Sequence, residues 1–135
     1  MIEVRKIDHL VLRTENVAEM VRFYEDVLGC RVERTLPEET GLTQLRAGDA
    51  LIDIVAVDSE LGRAGGGPPG RTGNSLDHFC LELKDTGPSE LRDWLVGQGV
   101  ECGEFETRYG AGGFGLSIYI KDPDGNTVEL RPDRP

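Results

Sequence analysis

The spacing of apolar residues along the chain predicts the same order of elements twice: one strand, one helix and three strands. Apolar positions three and four residues apart predict a first helix over about 17–28, ended by Gly29. A second helix is predicted over about 88–98, with Pro88 at its first position and Gly99 after its end. Short apolar runs between turn residues predict strands near 31–35, 43–47 and 50–57, and again near 101–107, 116–120 and 126–131.

Each half opens on an apolar-Asp-His-apolar phrase, and these two phrases contain both histidines of the 135-residue chain. The phrases are Ile7-Asp8-His9-Leu10 and, 69 residues later, Leu76-Asp77-His78-Phe79. Because the two helix-ending glycines lie 70 residues apart, the second half is predicted to copy the first. The sequence therefore predicts an α+β fold of two βαβββ modules in tandem.

We expect a single domain, with module one at about 4–60, module two at about 75–132 and a linker over about 61–74. The linker is rich in glycine and proline, which is typical of a flexible connection. Two segments match GxGxxG, at 65–70 and 110–115, but neither lies between a strand and a helix, so no dinucleotide site is predicted. The segment 110–115 is interpreted as a loop, with a mobile cover over a site as the alternative.

Charge and hydropathy exclude several classes of partner. The formal net charge of −10 repels nucleic acid and anionic lipid, and no apolar stretch approaches the roughly 18 residues that span a bilayer. The three cysteines have no CxxC spacing, which argues against a structural zinc site. We expect a cytoplasmic protein that acts on a small molecule and binds neither nucleic acid nor membrane.

Four side chains at matching places in the two halves suggest a metal site. Carboxylates interrupt the last apolar strand of each half at Asp53 and Glu129, as the histidines do at the first strand. A carboxylate in an apolar strand is costly to bury without a partner, and a metal ion would offset that cost. A set of imidazoles and carboxylates suits Ni, Zn, Mn, Co or Fe(II). Gln44 is the alternative to Asp53 as a ligand, and ordinary packing is the alternative for a histidine taken alone.

Further polar residues are candidates for binding a substrate. Ser117 and Tyr119 alternate onto one strand face, whereas Arg108 and Tyr109 precede the glycine segment, where they could reach an anionic group. Cys80 shares a strand face with His78, as does Glu82. The alternative is that these side chains satisfy backbone groups or lie in solvent.

These motifs resemble the vicinal oxygen chelate superfamily, which includes glyoxalase I, fosfomycin-resistance thiol transferases, extradiol dioxygenases and bleomycin-resistance proteins. The resemblance rests on the two Asp-His phrases, on Phe23 to Gly29, on Ser117-Ile118-Tyr119, and on Asp122 to Leu130. It implies that the two βαβββ modules form a curled mixed sheet around a metal-containing cleft.

The resemblance also implies roles for residues. His9, His78 and Glu129 match the three-ligand core, and Asp53 falls near a fourth position that is commonly Glu. Glu129 and Asp53 are then also the catalytic carboxylates, because a metal-bound carboxylate is the base in glyoxalase chemistry. One divalent ion per site is implied, with glutathione or another thiol as a candidate cosubstrate and a homodimer as the expected assembly. Pairing of the modules within one chain or between two stays open.

Three functions follow as hypotheses. The first is a metal-dependent lyase or isomerase, similar to lactoylglutathione lyase, or an enzyme of thiol addition. The second is an extradiol-type Fe(II) dioxygenase, because two histidines and one carboxylate with open positions also describe such sites. The third is a drug-binding resistance protein of the bleomycin-resistance type, without catalysis.

Overall fold

The protein is described by a computed structural model that covers residues 3–70 and 76–134. The chain divides into two compact units between Gly70 and Arg71. Each unit contains one four-stranded mixed sheet and one main helix, in the chain order strand, helix, three strands. The predicted α+β class and the doubled βαβββ order are therefore confirmed.

In the first unit the sheet order is β1-β4-β3-β2, with β1 parallel to β4 and the other neighbours antiparallel. The second unit repeats this topology as β5-β8-β7-β6, with β5 parallel to β8. The elements of the first unit are β1 (His9–Thr14), α1 (Val17–Arg22), β2 (Arg31–Thr35), β3 (Leu42–Ala47) and β4 (Ala50–Ala56). Those of the second are β5 (His78–Leu83), α2 (Pro88–Gly97), β6 (Glu106–Gly110), β7 (Gly113–Lys121) and β8 (Thr127–Pro132).

The core of the first unit leaves one sheet face open for polar residues. Met20 and Tyr24 are completely buried, as is Ile54 on β4, against which α1 packs. Full burial of side chains of this size contributes about 1.5–3 kcal/mol each. Because side chains alternate along a strand, Asp53 leaves β4 on the face opposite to Ile54. In the second unit Val128 and Leu130 are likewise buried on either side of Glu129.

The first helix changes its geometry before it ends. After Arg22 the α-helix continues as a wider π-helical turn, Phe23–Val27, in which the amide of Leu28 donates to the carbonyl of Phe23 at 3.3 Å. The sequence predicted one uniform helix, because apolar spacing does not separate these two hydrogen-bond patterns. The predicted glycine terminators are confirmed, since Gly29 has φ +71° and Gly99 has φ +73°.

The glycine segment 110–115 is the end of a β-hairpin with a two-residue turn, rather than the longer loop that the sequence predicted. Its alternative interpretation as a mobile cover stays a prediction. Strand β6 extends to Gly110, and β7 begins at Gly113, directly opposite. Strand pairing continues across Tyr109 and Phe114. The start of β6 also differs from the prediction, because upstream of Glu106 only Cys102 forms an isolated bridge, with Ile120.

The segment that follows β4 is held to β1 by one arginine. Arg13 donates to the carbonyls of Gly62, Gly66 and Gly67, at 2.9, 2.6 and 3.1 Å. A short 3-10 turn covers Gly62–Gly65. The remainder of the predicted linker, 71–74, lies outside the described residues. Within the two described ranges, no helix is long and apolar enough to cross a membrane.

Candidate functional site

The strand register places a histidine and a carboxylate at equivalent positions in both units. In the first unit Asp53 lies opposite Val11, two residues after His9. In the second unit Glu129 lies opposite Cys80, two residues after His78. Asp53 is therefore the register equivalent of Glu129, which the sequence spacing alone fixed only to within a residue.

In the second unit, His78 lies between two carboxylates. Its Nδ1 is 2.7 Å from Oδ2 of Asp77, and its Nε2 is 3.2 Å from Oε1 of Glu129. Glu129 is buried, whereas the His78 side chain is about one-third exposed. A carboxylate on one ring nitrogen fixes the orientation of an imidazole and directs the other nitrogen, here Nε2, toward a ligand.

In the first unit, Nδ1 of His9 is likewise 2.7 Å from a carboxylate oxygen of the preceding residue, Oδ1 of Asp8. The hydrogen bond to Asp8 raises the pKa of His9, and the negative charge of Asp53 adds to that effect. Gln44 lies opposite Asp53 in the β3–β4 register, and its Nε2 donates to both carboxylate oxygens at 3.3 and 3.2 Å. Arg34 in turn donates to Oε1 of Gln44 at 3.3 Å. Gln44, which the sequence offered as the alternative to Asp53 as a metal ligand, thus contacts the Asp53 carboxylate.

The residues present fit a divalent ion in their chemistry. Asp53 and Glu129 are only 4% and 6% exposed, and in the described part of the chain neither forms an ion pair with a lysine or an arginine. In each unit a buried carboxylate without a cationic partner lies on the same sheet face as a histidine, and nitrogen and oxygen donors of this kind suit such an ion. Among residues 3–70 and 76–134, no three His, Cys, Asp or Glu side chains cluster as a complete site.

Three of the predicted substrate-binding residues come together beside His78. Tyr119 lies opposite Glu129 in the β7–β8 register, and its ring meets His78 edge to face, with centroids 5.4 Å apart. The guanidinium of Arg108 stacks over the Tyr119 ring at 4.2 Å. Arg108 is held there by Ser117, to whose carbonyl and Oγ it donates at 2.7 and 2.9 Å.

Tyr109 does not join this group, contrary to the sequence expectation that it and Arg108 reach the same ligand. Its side chain is exposed and packs on Phe114, with ring centroids 5.0 Å apart. Adjacent residues of a strand point to opposite faces, so Arg108 and Tyr109 cannot both face Tyr119 once β6 includes them.

Sequence reasoning overlooked the residues that support the site. Asp8 and Asp77 were part of the repeated phrase, yet no role was assigned to them, although an acid directly before each histidine was the available signal. Arg131 was missed as well. It is two residues beyond Glu129 and therefore on the same sheet face.

The fold and the paired histidines and carboxylates define a class of protein. Residues 6–130 match the family described as the Glyoxalase/Bleomycin resistance protein/Dioxygenase superfamily. This match covers most of the chain, and the protein belongs to that superfamily, as the sequence motifs indicated.

Particular relatives give different clues to activity. The chain is 30% identical over 128 residues to "Virulence protein STM3117" of Salmonella typhimurium, covering 94% of this chain and 83% of the relative. It is 33% identical over 135 residues to Biphenyl-2,3-diol 1,2-dioxygenase 3 of Rhodococcus globerulus, covering 95% of this chain but only 63% of the dioxygenase. An integron cassette protein from the mobile metagenome of V. cholerae has a similar structure, with 27% identity, a TM-score of 0.79 and 98% coverage of both chains.

Proposed function

We propose that this chain is a divalent-metal-dependent enzyme of the glyoxalase-like type, acting on a small oxygenated substrate by lyase or isomerase chemistry. The proposed ligands of the metal ion are His9, His78, Glu129 and Asp53. The observation that carries the proposal is the equivalence of Asp53 and Glu129, two buried carboxylates at the same register position beside a histidine. A site with a fourth ligand of this kind favours proton-transfer chemistry more than a site with three ligands does.

When bound, the ion would act as a Lewis acid toward two neighbouring oxygens of the substrate. Glu129 is proposed as the base that takes a proton from a carbon of the substrate and returns it to the adjacent carbon. Asp53, at the equivalent register position, is proposed as a second carboxylate able to act as such a base. Both carboxylates are buried, which limits the access of water to that proton. The side chain of Asp53 is one methylene shorter, so Glu129 has the longer reach.

The neighbouring side chains hold the base and the substrate in place. Asp77 fixes the ring of His78, and Tyr119 limits its rotation by packing against it. Arg108 presents a positive charge beside Tyr119, where it would stabilise an anionic oxygen of the substrate. Ser117 and Glu106 fix the position of that guanidinium, so little conformational entropy is lost when it binds an anion.

The second candidate is an extradiol-type dioxygenase. The observation that favours it is the 33% identity to the Rhodococcus dioxygenase, of which the chain spans 63%. With Fe(II) held by His9, His78 and Glu129, Asp53 would then not be a ligand.

Metal analysis and two assays test the proposal. Protein purified without chelators is expected to hold about one divalent ion per chain, and His78→Ala is expected to lose it. Turnover of methylglyoxal with glutathione, restored to stripped protein by nickel or manganese, supports the lyase. Oxygen consumption with catechols and Fe(II) supports the dioxygenase. A metal-free wild-type protein that His78→Ala leaves unchanged would contradict both.

A further inference from the structure

A cavity of about 370 Å³ lies in the second unit, and none of the proposed metal ligands lines it. Its lining includes Glu82, Arg131, Phe114, Leu116 and Pro132. Arg131 leaves β8 on the same face as Glu129, roughly 7 Å further along the strand. A molecule in this cavity could therefore reach toward Glu129 and His78 with its other end.

Glycines in the β6–β7 hairpin leave space for the guanidinium of Arg131. Its Nη2 donates to the carbonyl of Gly113 at 2.9 Å, and its Nη1 donates to the carbonyl of Arg108 at 3.4 Å. A Cβ atom added at Gly110 would lie 2.3 Å from Nη1, and one added at Gly115 would lie 2.8 Å from Nη2. The backbone thus fixes Arg131 with two of its five N–H donors and leaves the others for a ligand.

Two opposite charges line this cavity without forming an ion pair with each other: Arg131 and its exposed register partner on β5, Glu82. Among the described residues, Arg131 forms no ion pair, and Glu82 forms no hydrogen bond or ion pair. The other two charges at the cavity are already engaged. Asp133 accepts backbone N–H donors of the loop before α2, and Arg134 donates to Glu90.

We propose that this cavity binds the zwitterionic α-amino acid group of a substrate, with the carboxylate on Arg131 and the ammonium on Glu82. One group that carries both charges satisfies the two side chains together, whereas a simple anion would leave Glu82 without a partner and near a negative charge. Phe114, Leu116 and Pro132 supply an apolar wall, so an apolar chain attached to that group fits the cavity. This proposal rests on the proposed function, because the other end of the same molecule would react at Glu129.

Three small probes of one skeleton test the charges separately. L-norleucine carries both charges, N-acetyl-L-norleucine carries only the carboxylate, and L-norleucinamide carries only the ammonium. Binding to the full chain is measured by NMR from the amide shifts of Gly112 and Gly115, which line the cavity. Norleucine is expected to bind at least about tenfold more tightly than either derivative, because charge-assisted hydrogen bonds form at both ends.

Variants assign the two contacts. Glu82→Gln is expected to bring norleucine down to the affinity of its N-acetyl derivative, and Arg131→Met is expected to abolish binding. Arg131→Lys keeps the charge but loses the planar fork, so it is expected to bind at an intermediate level. Lys84→Gln removes an exposed charge near the end of β5, outside the cavity lining, and is the control that should bind as wild type.

The outcomes separate this site from the metal site. Equal affinity for all three probes, or binding that Glu82→Gln leaves unchanged, would overturn the zwitterion site. His78→Ala is expected to retain norleucine binding while losing metal. If metal content is as proposed but norleucine does not bind, the further inference alone fails; if norleucine binds to a protein that takes no metal, the proposed function alone fails.

Discussion

At the scale of single residues, the buried carboxylates Asp53 and Glu129 carry the proposed metal chemistry. Neither forms an ion pair with a lysine or arginine in the described part of the chain, although the interior strongly disfavours an isolated charge. Each shares a sheet face with a histidine whose Nδ1 is hydrogen-bonded to an exposed aspartate. The same solution occurs twice, once in each unit.

Asp53→Asn and Glu129→Gln are each expected to weaken metal binding by more than about 100-fold, because a neutral amide replaces a charged ligand while the shape is kept. Competition with a chromophoric chelator measures the affinity. Asp49→Asn, which removes an exposed carboxylate from the β3–β4 turn, is the matched control and should bind metal as wild type. Unchanged affinity in Asp53→Asn alone would remove Asp53 from the ligand set and favour the dioxygenase.

The repeat made His9, His78 and Glu129 candidate ligands, but it could not align Asp53 with Glu129. The stretch from histidine to carboxylate is seven residues longer in the second half, and sequence alone does not show where the extra residues are accommodated. Pairing across β1 and β4 supplies that information. Tyr109 was misplaced for a related reason, because which of two adjacent residues faces the site depends on the hairpin pairing.

At the scale of elements, the β6–β7 hairpin depends on the absence of side chains where Arg131 crosses it. Gly110→Ala and Gly115→Ala are each expected to lower the free energy of unfolding by about 0.5–1.5 kcal/mol, because the new methyl group would displace the guanidinium from its backbone hydrogen bonds. Urea denaturation measures the change. Gly112→Ala is the control, since a Cβ there has no atom within 4 Å. Equal effects at all three positions would show that Arg131 does not occupy this place.

The end of β8 is attached to the loop before α2 by Asp133, which accepts the amides of Asp85 and Thr86 at 2.7 and 2.9 Å. These hydrogen bonds lower the pKa of Asp133. The stabilisation is therefore fully present above the unfolded pKa of about 3.9 and is lost as pH falls through the lower folded pKa. Asp133→Asn should unfold at lower urea than wild type at pH 7, and the difference should shrink in acid.

Asp93→Asn, which removes an exposed carboxylate from α2, is the control for this experiment. A difference between Asp133→Asn and wild type that stays constant from pH 7 to strong acid would contradict the role given to the charge.

The helices were easier to predict than the strands of the second half. Pro88 and the glycine terminators mark helix ends by local chemistry, and α2 matches its predicted bounds to one residue. Strand β6 was predicted too early, because its apolar pattern is weak and its pairing with β7 is long range. The π-helical turn after Arg22 carries no signal in the spacing of apolar residues.

At the scale of the whole molecule, metal binding is expected to stabilise the fold. An ion that binds only the native chain adds about 2.7 kcal/mol at a hundredfold excess over its Kd, which raises Tm by several degrees. Because the proposed ligand set takes one histidine from each unit, His9→Ala and His78→Ala should each abolish the shift, as measured by thermal unfolding with and without nickel. A full shift in His9→Ala would show that His9 is not a ligand.

Arg13 has a consequence for how this gene could be divided or rearranged. Its guanidinium donates hydrogen bonds to the backbone at Gly62, Gly66 and Gly67. A residue of β1 therefore holds the segment with which the chain leaves the first unit. A polypeptide split after Gly70 would keep these three hydrogen bonds, whereas a split before Gly62 would remove all three carbonyl acceptors of Arg13. Separately expressed halves should therefore be joined or exchanged downstream of Gly67, and new termini or inserted domains belong there too.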